Sequence, residues 1–142
     1  MATNCRFAFG THVMSVLALH RAGPCSSEIL AQTVNTNAVV IRRLLLDLKE
    51  AGLIETQRGP GGGAKLARPA GEITLAQIFQ ATSGEFQPFG AHPNPPAQCC
   101  QVGRGIQQVL QGVAQRASEC VAAQYAAISL QNVVDSLDEL RK

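Results

Sequence analysis

The sequence predicts a mainly α-helical protein with one small β-hairpin. Apolar residues recur at intervals of three and four over most of the 142 residues, which is typical of helices packed on a core. Two short segments with strand-like composition flank a single glycine-rich turn at residues 58–63. Hydrophobic residues make up 46% of the chain and charged residues 15%, so a core can form. The length excludes a barrel enzyme and suits one small domain with an added oligomerisation element.

The first two helices are predicted before residue 35. One covers about residues 4–21 and ends before Gly23 and Pro24, because this pair stops helices. The other is short and begins at a capping serine, either Ser26 or Ser27. The apolar side chains that the second helix directs inward are predicted to be Ile29, Leu30 and Val34.

The third helix is predicted over residues 37–51, with Asn37 as its cap and Gly52 as the glycine that ends it. Its apolar stripe consists of Val40, Ile41, Leu44, Leu45 and Leu48. Its charged residues lie mostly away from that stripe and are Arg42, Arg43, Asp47, Lys49 and Glu50. This helix is therefore expected to pack on the core and to present a partly basic outer face.

A hairpin and a fourth helix follow. The strands are predicted at residues 53–57 and 64–68, joined by the turn Arg58-Gly59-Pro60-Gly61-Gly62-Gly63. Thr74 is the predicted cap of the fourth helix, whose apolar residues are Leu75, Ile78 and Phe79.

A loop separates these elements from a long helix. Four of the seven prolines fall between residues 88 and 96. From Val102 to Ile128 apolar residues step by three and four, which predicts a helix of six or seven turns. Its apolar stripe exceeds what the local chain can cover, so it packs on the first helix, on the same helix of a second subunit, or on both. We expect dimerisation, and a short last helix capped by Ser129.

The charge is uneven along the chain. Residues 1–70 carry eight Lys and Arg against four Asp and Glu, whereas residues 71–142 carry four against six. A basic first half indicates a polyanionic partner. Aromatic residues make up only 4% and Trp is absent, which disfavours stacking on single-stranded nucleic acid.

Duplex DNA fits the order of the elements. Three helices, the third with a basic outer face, followed by a hairpin with a basic tip, are the order of a winged helix-turn-helix. The third helix would read the major groove, and the slim glycine tip with Arg58 would enter the minor groove. A nucleotide site at the glycines is excluded, because the residues after them form a strand that Pro69 stops, and no helix begins there. The predicted DNA-binding residues are Asn37, Val39, Val40, Arg42, Arg43, Arg58, Gly59, Gly61, Gly62, Gly63 and Lys65.

Nearly the whole chain resembles the bacterial dimeric winged-helix regulators that include IscR, NsrR and CymR. The segments that carry the resemblance are Leu48-Lys49-Glu50-Ala51-Gly52-Leu53, the glycine turn at 58–63, and Leu66-Ala67-Arg68-Pro69. The resemblance implies a cytoplasmic homodimeric transcription regulator, expected to be a repressor, on a near-palindromic operator. Ala64 departs from the family, which usually has an aromatic residue after the glycines.

The cysteines indicate a thiol site and no metal. Five cysteines at scattered positions fit no disulfide framework and favour a reducing compartment. Iron-sulfur members of the family carry three cysteines before the long helix, whereas this chain has only the adjacent Cys99 and Cys100, with His92 upstream. No iron-sulfur cluster or other cofactor is expected. Cys100 precedes the long helix, where backbone amides favour a thiolate, and it is the candidate redox switch, with Cys99 second. The other three, Cys5, Cys25 and Cys120, are assigned to packing.

The sequence lacks the features of an enzyme or a membrane protein. No paired carboxylates and no nucleophile–base arrangement are visible, so the chain is not predicted to be an enzyme. No apolar run is long enough to span a membrane. The predicted organisation is a DNA-binding domain at residues 1–84, a sensor-type loop at 85–101, and the dimerisation helix with the last helix at 102–142. Alternatives are a thiol redox or small-ligand sensor without DNA function, and a module that pairs with another chain.

Overall fold

The computed structural model describes residues 5–142 and confirms the predicted fold class. In chain order the elements are α1 (Arg6–Leu19), α2 (Ser27–Val34), α3 (Ala38–Glu50), β1 (Ile54–Gln57), β2 (Gly63–Leu66), α4 (Leu75–Ser83), α5 (Gln101–Ala126) and α6 (Leu130–Leu140). The strands pair antiparallel with Gln57 opposite Gly63 at the tip. Within the described chain, no helix is long and apolar enough to cross a membrane.

The helix boundaries follow the predicted capping residues. Ser26, and not Ser27, caps α2, and its Oγ accepts a hydrogen bond from the Ile29 N–H at 3.3 Å. Thr74 and Ser129 each form a reciprocal capping box at the start of α4 and α6. Gly52 has φ +73° just beyond α3, a conformation that favours glycine and ends the helix.

The chain forms two compact units. One contains the chain up to Gly84 together with Tyr125–Lys142, and the other is Glu85–Gln124. The last helix therefore belongs with the winged-helix elements, whereas the division made from the sequence grouped residues 102–142 together. The amphipathic pattern of α6 predicted a buried face but carried no information on which core would receive it.

The core of the first unit lies between α1, α3, α4, the hairpin and α6. Its fully buried large side chains are Met14, Leu30, Ile41, Leu44, Leu48, Leu53, Ile73, Ile78 and Leu130. Ile29 is an exception to the prediction, since its side chain is 50% exposed. It precedes the buried Leu30 by one residue, about 100° around the helix, and so lies on the outer side of α2.

The last helix is joined to the rest of its unit by backbone hydrogen bonds. The Leu130 N–H donates to the Ile73 carbonyl at 2.8 Å, and the Leu75 N–H donates to the Ile128 carbonyl at 2.9 Å. Close by, Phe7, Phe79 and Tyr125 form an aromatic cluster with ring centroids 5.2 to 5.5 Å apart. The last helix thus packs on α1 and on the segment 70–72 that precedes α4.

Side chains at the start of α1 position α3. The Arg6 guanidinium forms an ion pair with Asp47 of α3, and its Nε donates to the Thr82 carbonyl of α4 at 2.7 Å. The inner face of α3 is buried through Ile41, Leu44, Leu45 and Leu48. The helix is thus held on one side by the core and at one flank by Arg6, and Val39, Val40 and Leu46 remain exposed on its outer side.

The long helix α5 has no buried side chain among the described residues. Val102 and Val109 are both 63% exposed, and Val113 is exposed as well. This apolar stripe is the one that the sequence predicted to need a covering partner.

Of the cysteines assigned to packing, only Cys25 is buried. Burial raises the pKa of the Cys25 thiol, so it stays neutral in the core. Cys5 and Cys120 are exposed, and their assignment was wrong. The number and spacing of the cysteines did not distinguish buried positions from exposed ones.

Candidate nucleic-acid interface

The outer face of α3 presents a stripe of three exposed side chains. Val39 is 64% exposed and Leu46 65% exposed, and Arg43 lies between them on the same side, since the three are spaced by four and three residues. Val40 is also exposed, although the sequence pattern had placed it in the buried stripe. Leu46 was not among the predicted contact residues, but its spacing from Val39 and Arg43 could have identified it. An apolar and basic stripe of this kind suits thymine methyl groups and base edges.

Asn37 acts as the cap of α3. Its Oδ1 accepts a hydrogen bond from the Val39 N–H at 2.8 Å, so the carbonyl end of the side chain is occupied. The residue stands at the N-terminal end of the helix and is exposed. Its amide NH₂ group remains available as a donor.

Arg42 lies on the flank of α3 that faces α2. Its Nη2 donates to Glu28 Oε1 at 2.7 Å, and Ser27 Oγ donates to Glu28 Oε2 at 3.2 Å. The hydrogen bond from Arg42 is the main reason why the pKa of Glu28 is lowered, so the carboxylate is charged at neutral pH. Neither Ser27 nor Glu28 was predicted as a site residue, because their proximity to Arg42 depends on how α2 and α3 pack.

The tip of the hairpin, the wing, depends on its glycines. Gly59, Gly61 and Gly63 have φ of +90°, +75° and +147°, which other residues rarely adopt. The Gly62 N–H donates to the Gly59 carbonyl at 3.0 Å, and a Cβ on Gly62 would overlap backbone atoms of the turn. Arg58 is exposed at the start of this turn.

The base of the wing is fixed to the segment before α2. Cys25 and Ala64 exchange both backbone hydrogen bonds, at 2.9 and 2.8 Å. A Cβ on Gly63 would overlap the backbone of Cys25, so only glycine allows this approach. Ala64 itself is buried, and this small residue fills the position where an aromatic residue is usual in the family.

A groove of about 530 Å³ runs between α3 and the wing. Arg42, Lys49 and Arg58 contribute cations to its lining, together with the Ser27 hydroxyl. Lys65, also predicted to bind DNA, points elsewhere on the hairpin and forms a 3.6 Å ion pair with Glu55. The groove is a basic channel of the kind that attracts a phosphate backbone.

Cys100 lies immediately before α5 and is exposed, as is Cys99. Hydrogen bonds from the backbone N–H groups of Gly103 and Val102 lower the pKa of the Cys100 thiol. A helix N-terminus therefore stabilises the thiolate, as the sequence predicted for this position.

These features define a class of protein. A three-helix unit with an exposed recognition helix, a glycine-tipped wing and a basic groove between them is a winged helix-turn-helix DNA-binding protein. Residues 3–136 match Rrf2, described as an iron-dependent transcriptional regulator, and the chain belongs to this family. It is a DNA-binding transcriptional regulator, and the prediction that it is not an enzyme is confirmed.

Individual relatives support the same assignment. The chain is 33% identical over 134 residues to YwnA of Bacillus subtilis, named as an HTH-type transcriptional regulator, covering 94% of this chain and 98% of that protein. The structure of IscR from T. potens has a TM-score of 0.74 at 21% identity and covers 100% of this chain and 92% of that one. The Staphylococcus aureus CymR structure has a TM-score of 0.66 at 25% identity and covers 91% and 94%. The predicted resemblance to the IscR and CymR group is confirmed.

The family description includes iron, but the residues of this chain do not fit an iron site. Cys99 and Cys100 are adjacent, so their side chains diverge and do not chelate one metal together. Within residues 5–142, no three His, Cys, Asp or Glu side chains are grouped as metal ligands.

Proposed function

We propose that this protein is a homodimeric repressor of the bacterial cytoplasm that binds a near-palindromic operator. In this proposal α3 enters the major groove, the wing enters the adjacent minor groove, and the phosphate backbone lies in the basic groove between them. The observation that carries the proposal is the exposed stripe of Val39, Arg43 and Leu46 beside three groove cations. A repressor needs only to occupy its operator, and surfaces that bind duplex DNA support that role.

The dimer is supported by α5. Its valines at 102, 109 and 113 are exposed in the single chain, and pairing with the same helix of a second copy would cover them. A twofold dimer that reads successive major grooves requires half-sites about 34–36 Å apart, one turn of DNA, and its symmetry accounts for a near-palindromic site.

Thiol control is the third part of the proposal. The thiolate of Cys100 attacks one oxygen of hydrogen peroxide, the O–O bond breaks, and the products are a sulfenic acid and hydroxide. Cys100 is exposed and carries the lowered pKa that this reaction needs. Five free cysteines also fit a reducing cytoplasm.

The test is selection of bound duplexes from a random DNA pool by the reduced protein, followed by binding measurements from 50 to 200 mM salt. We expect one near-palindrome to be enriched, and its affinity to fall about a thousandfold or more over this range if six or more phosphates are neutralised. A flat salt response, or no enriched sequence, would contradict the proposal.

A further inference from the structure

One carboxylate lies directly against the candidate DNA-reading surface. Glu28, in the first turn of α2, accepts from Arg42 Nη2 at 2.7 Å and from Ser27 Oγ at 3.2 Å. Both carboxylate oxygens are thus engaged, and the Arg42 and Glu28 side chains are each more than half exposed. The ion pair lies at the DNA-facing side of the unit, because Ser27 and Arg42 also line the basic groove.

The pair limits how Arg42 can bind DNA. An arginine has five N–H donors, and the contact with Glu28 uses one Nη group, which leaves other donors of the fork available. A guanidinium paired with a carboxylate samples fewer orientations than an unpaired one, and a preoriented fork suits the two acceptors of a guanine edge. An arginine without an acidic partner can instead contact any phosphate within reach. A phosphate contact carries no sequence information.

The negative charge of Glu28 also favours binding to a specific sequence over binding to other DNA. The hydrogen bond from Arg42 lowers the pKa of Glu28, so the carboxylate is ionised at neutral pH. A phosphate that draws Arg42 away from Glu28 leaves the carboxylate unpaired, and the carboxylate then repels the DNA backbone. This repulsion weakens binding to every DNA sequence that offers Arg42 no base contact.

Two neighbouring arginines lack this arrangement. Among residues 5–142, neither Arg43 nor Arg58 forms an ion pair with an acidic side chain. Both can therefore contact phosphates without leaving an acidic partner. Of the three arginines predicted to bind DNA, Arg42 is thus the one that is paired with a carboxylate.

We propose that Glu28 is a specificity-determining residue, which positions Arg42 for one guanine in each half-site and weakens binding to every other sequence. The inference rests on the proposed function, since it requires α3 to lie in the major groove. Glu28 acts through Arg42 and is a positioning residue.

The test compares Glu28→Gln with Glu50→Gln on two probes, the selected operator and a scrambled duplex of equal length. Glu50 is exposed near the end of α3, and its variant changes the net charge equally without touching Arg42. For Glu28→Gln we expect scrambled DNA to bind about threefold tighter per protomer. For Glu28→Gln, the slope of log affinity against log salt concentration should become steeper by about 0.9 per protomer. The ratio of operator to scrambled affinity should fall about tenfold.

Two further measurements separate positioning from general electrostatics. Repeating the selection with Glu28→Gln should relax the preference for guanine at one position per half-site and leave the others unchanged. In an Arg42→Ala background, Glu28→Gln should no longer change the specificity ratio.

The outcomes distinguish the two proposals. If the parent protein enriches no operator, the proposed function fails and the role of Glu28 fails with it. If an operator is found but Glu28→Gln behaves like Glu50→Gln, only the role of Glu28 is overturned. Retained guanine preference in Glu28→Gln would also overturn it.

Discussion

At the scale of single residues, Arg58 offers the simplest test of the wing. It is exposed at the start of the glycine turn and lines the basic groove. Arg58→Ala should weaken operator binding by about 1–3 kcal/mol and relax the base preference where the wing lies, because a minor-groove arginine senses the local potential. Titration of a labelled operator measures the effect, with Arg141→Ala, at the exposed end of α6, as the control. Equal affinity of Arg58→Ala and the parent protein would remove the wing from the interface.

Cys100 is the second residue whose environment makes a prediction. Its thiolate accepts hydrogen bonds from the N–H groups of Val102 and Gly103, which lower its pKa. The rate of alkylation, followed by peptide mass spectrometry, should reach half its maximum below pH 8.5, about the ordinary value for a thiol. Val102→Pro removes one of these donors in the first helical turn and should move the midpoint upward. A midpoint unaffected by this substitution would show that the helix N-terminus does not activate Cys100.

At the scale of elements, the wing depends on one glycine at its base. Gly63 has φ +147° and lies against the backbone of Cys25. Gly63→Ala should cost about 1–3 kcal/mol in the free energy of unfolding and reduce operator affinity, because both the conformation and the contact exclude a Cβ. Urea unfolding and DNA titration measure the two effects. Gly71→Ala is the control, since a Cβ there meets open space, and a similar loss in both variants would refute the argument.

The last helix makes a different prediction, about stability alone. Leu130 is 0% exposed in the core of the first unit, whereas Leu140 at the other end of α6 is 84% exposed. Leu130→Ala should lower the free energy of unfolding by about 2–5 kcal/mol, because it leaves a cavity. Leu140→Ala should change it by less than about 0.5 kcal/mol. Equal effects in urea unfolding would mean that α6 does not complete this core.

At the scale of the whole molecule, the exposed stripe of α5 predicts the oligomeric state. Light scattering should give twice the 15.0 kDa mass of the chain for the parent protein. Val109→Glu should give the mass of a monomer, because it places a charge on a stripe residue that is 63% exposed in the single chain. Loss of bivalent binding should weaken operator affinity about a hundredfold or more. Gln108→Glu adds the same charge beside the stripe and should remain dimeric, and a monomeric parent protein would contradict the proposal.

Local sequence determined the elements of this protein. The caps at Asn37, Thr74 and Ser129, and the glycine that ends α3, are signals contained within a few residues, so they could be read without a structure. The wing was predictable for the same reason, since positive φ is encoded by the glycines themselves. The order of these elements indicated the winged helix-turn-helix class, and the residues at 48–53, 58–63 and 66–69 indicated the family.

Only the tertiary structure decided which residues of different elements contact one another and which stay exposed. The sequence predicted a buried face for α6, but only packing placed Leu130 in the core of the first unit. Packing likewise left Ile29 and Leu46 exposed. The contact between Glu28 and Arg42 joins residues that are fourteen positions apart, on two helices whose relative placement is set by the core beneath them. Periodicity describes one helix at a time, and such non-local contacts depend on how several helices pack together.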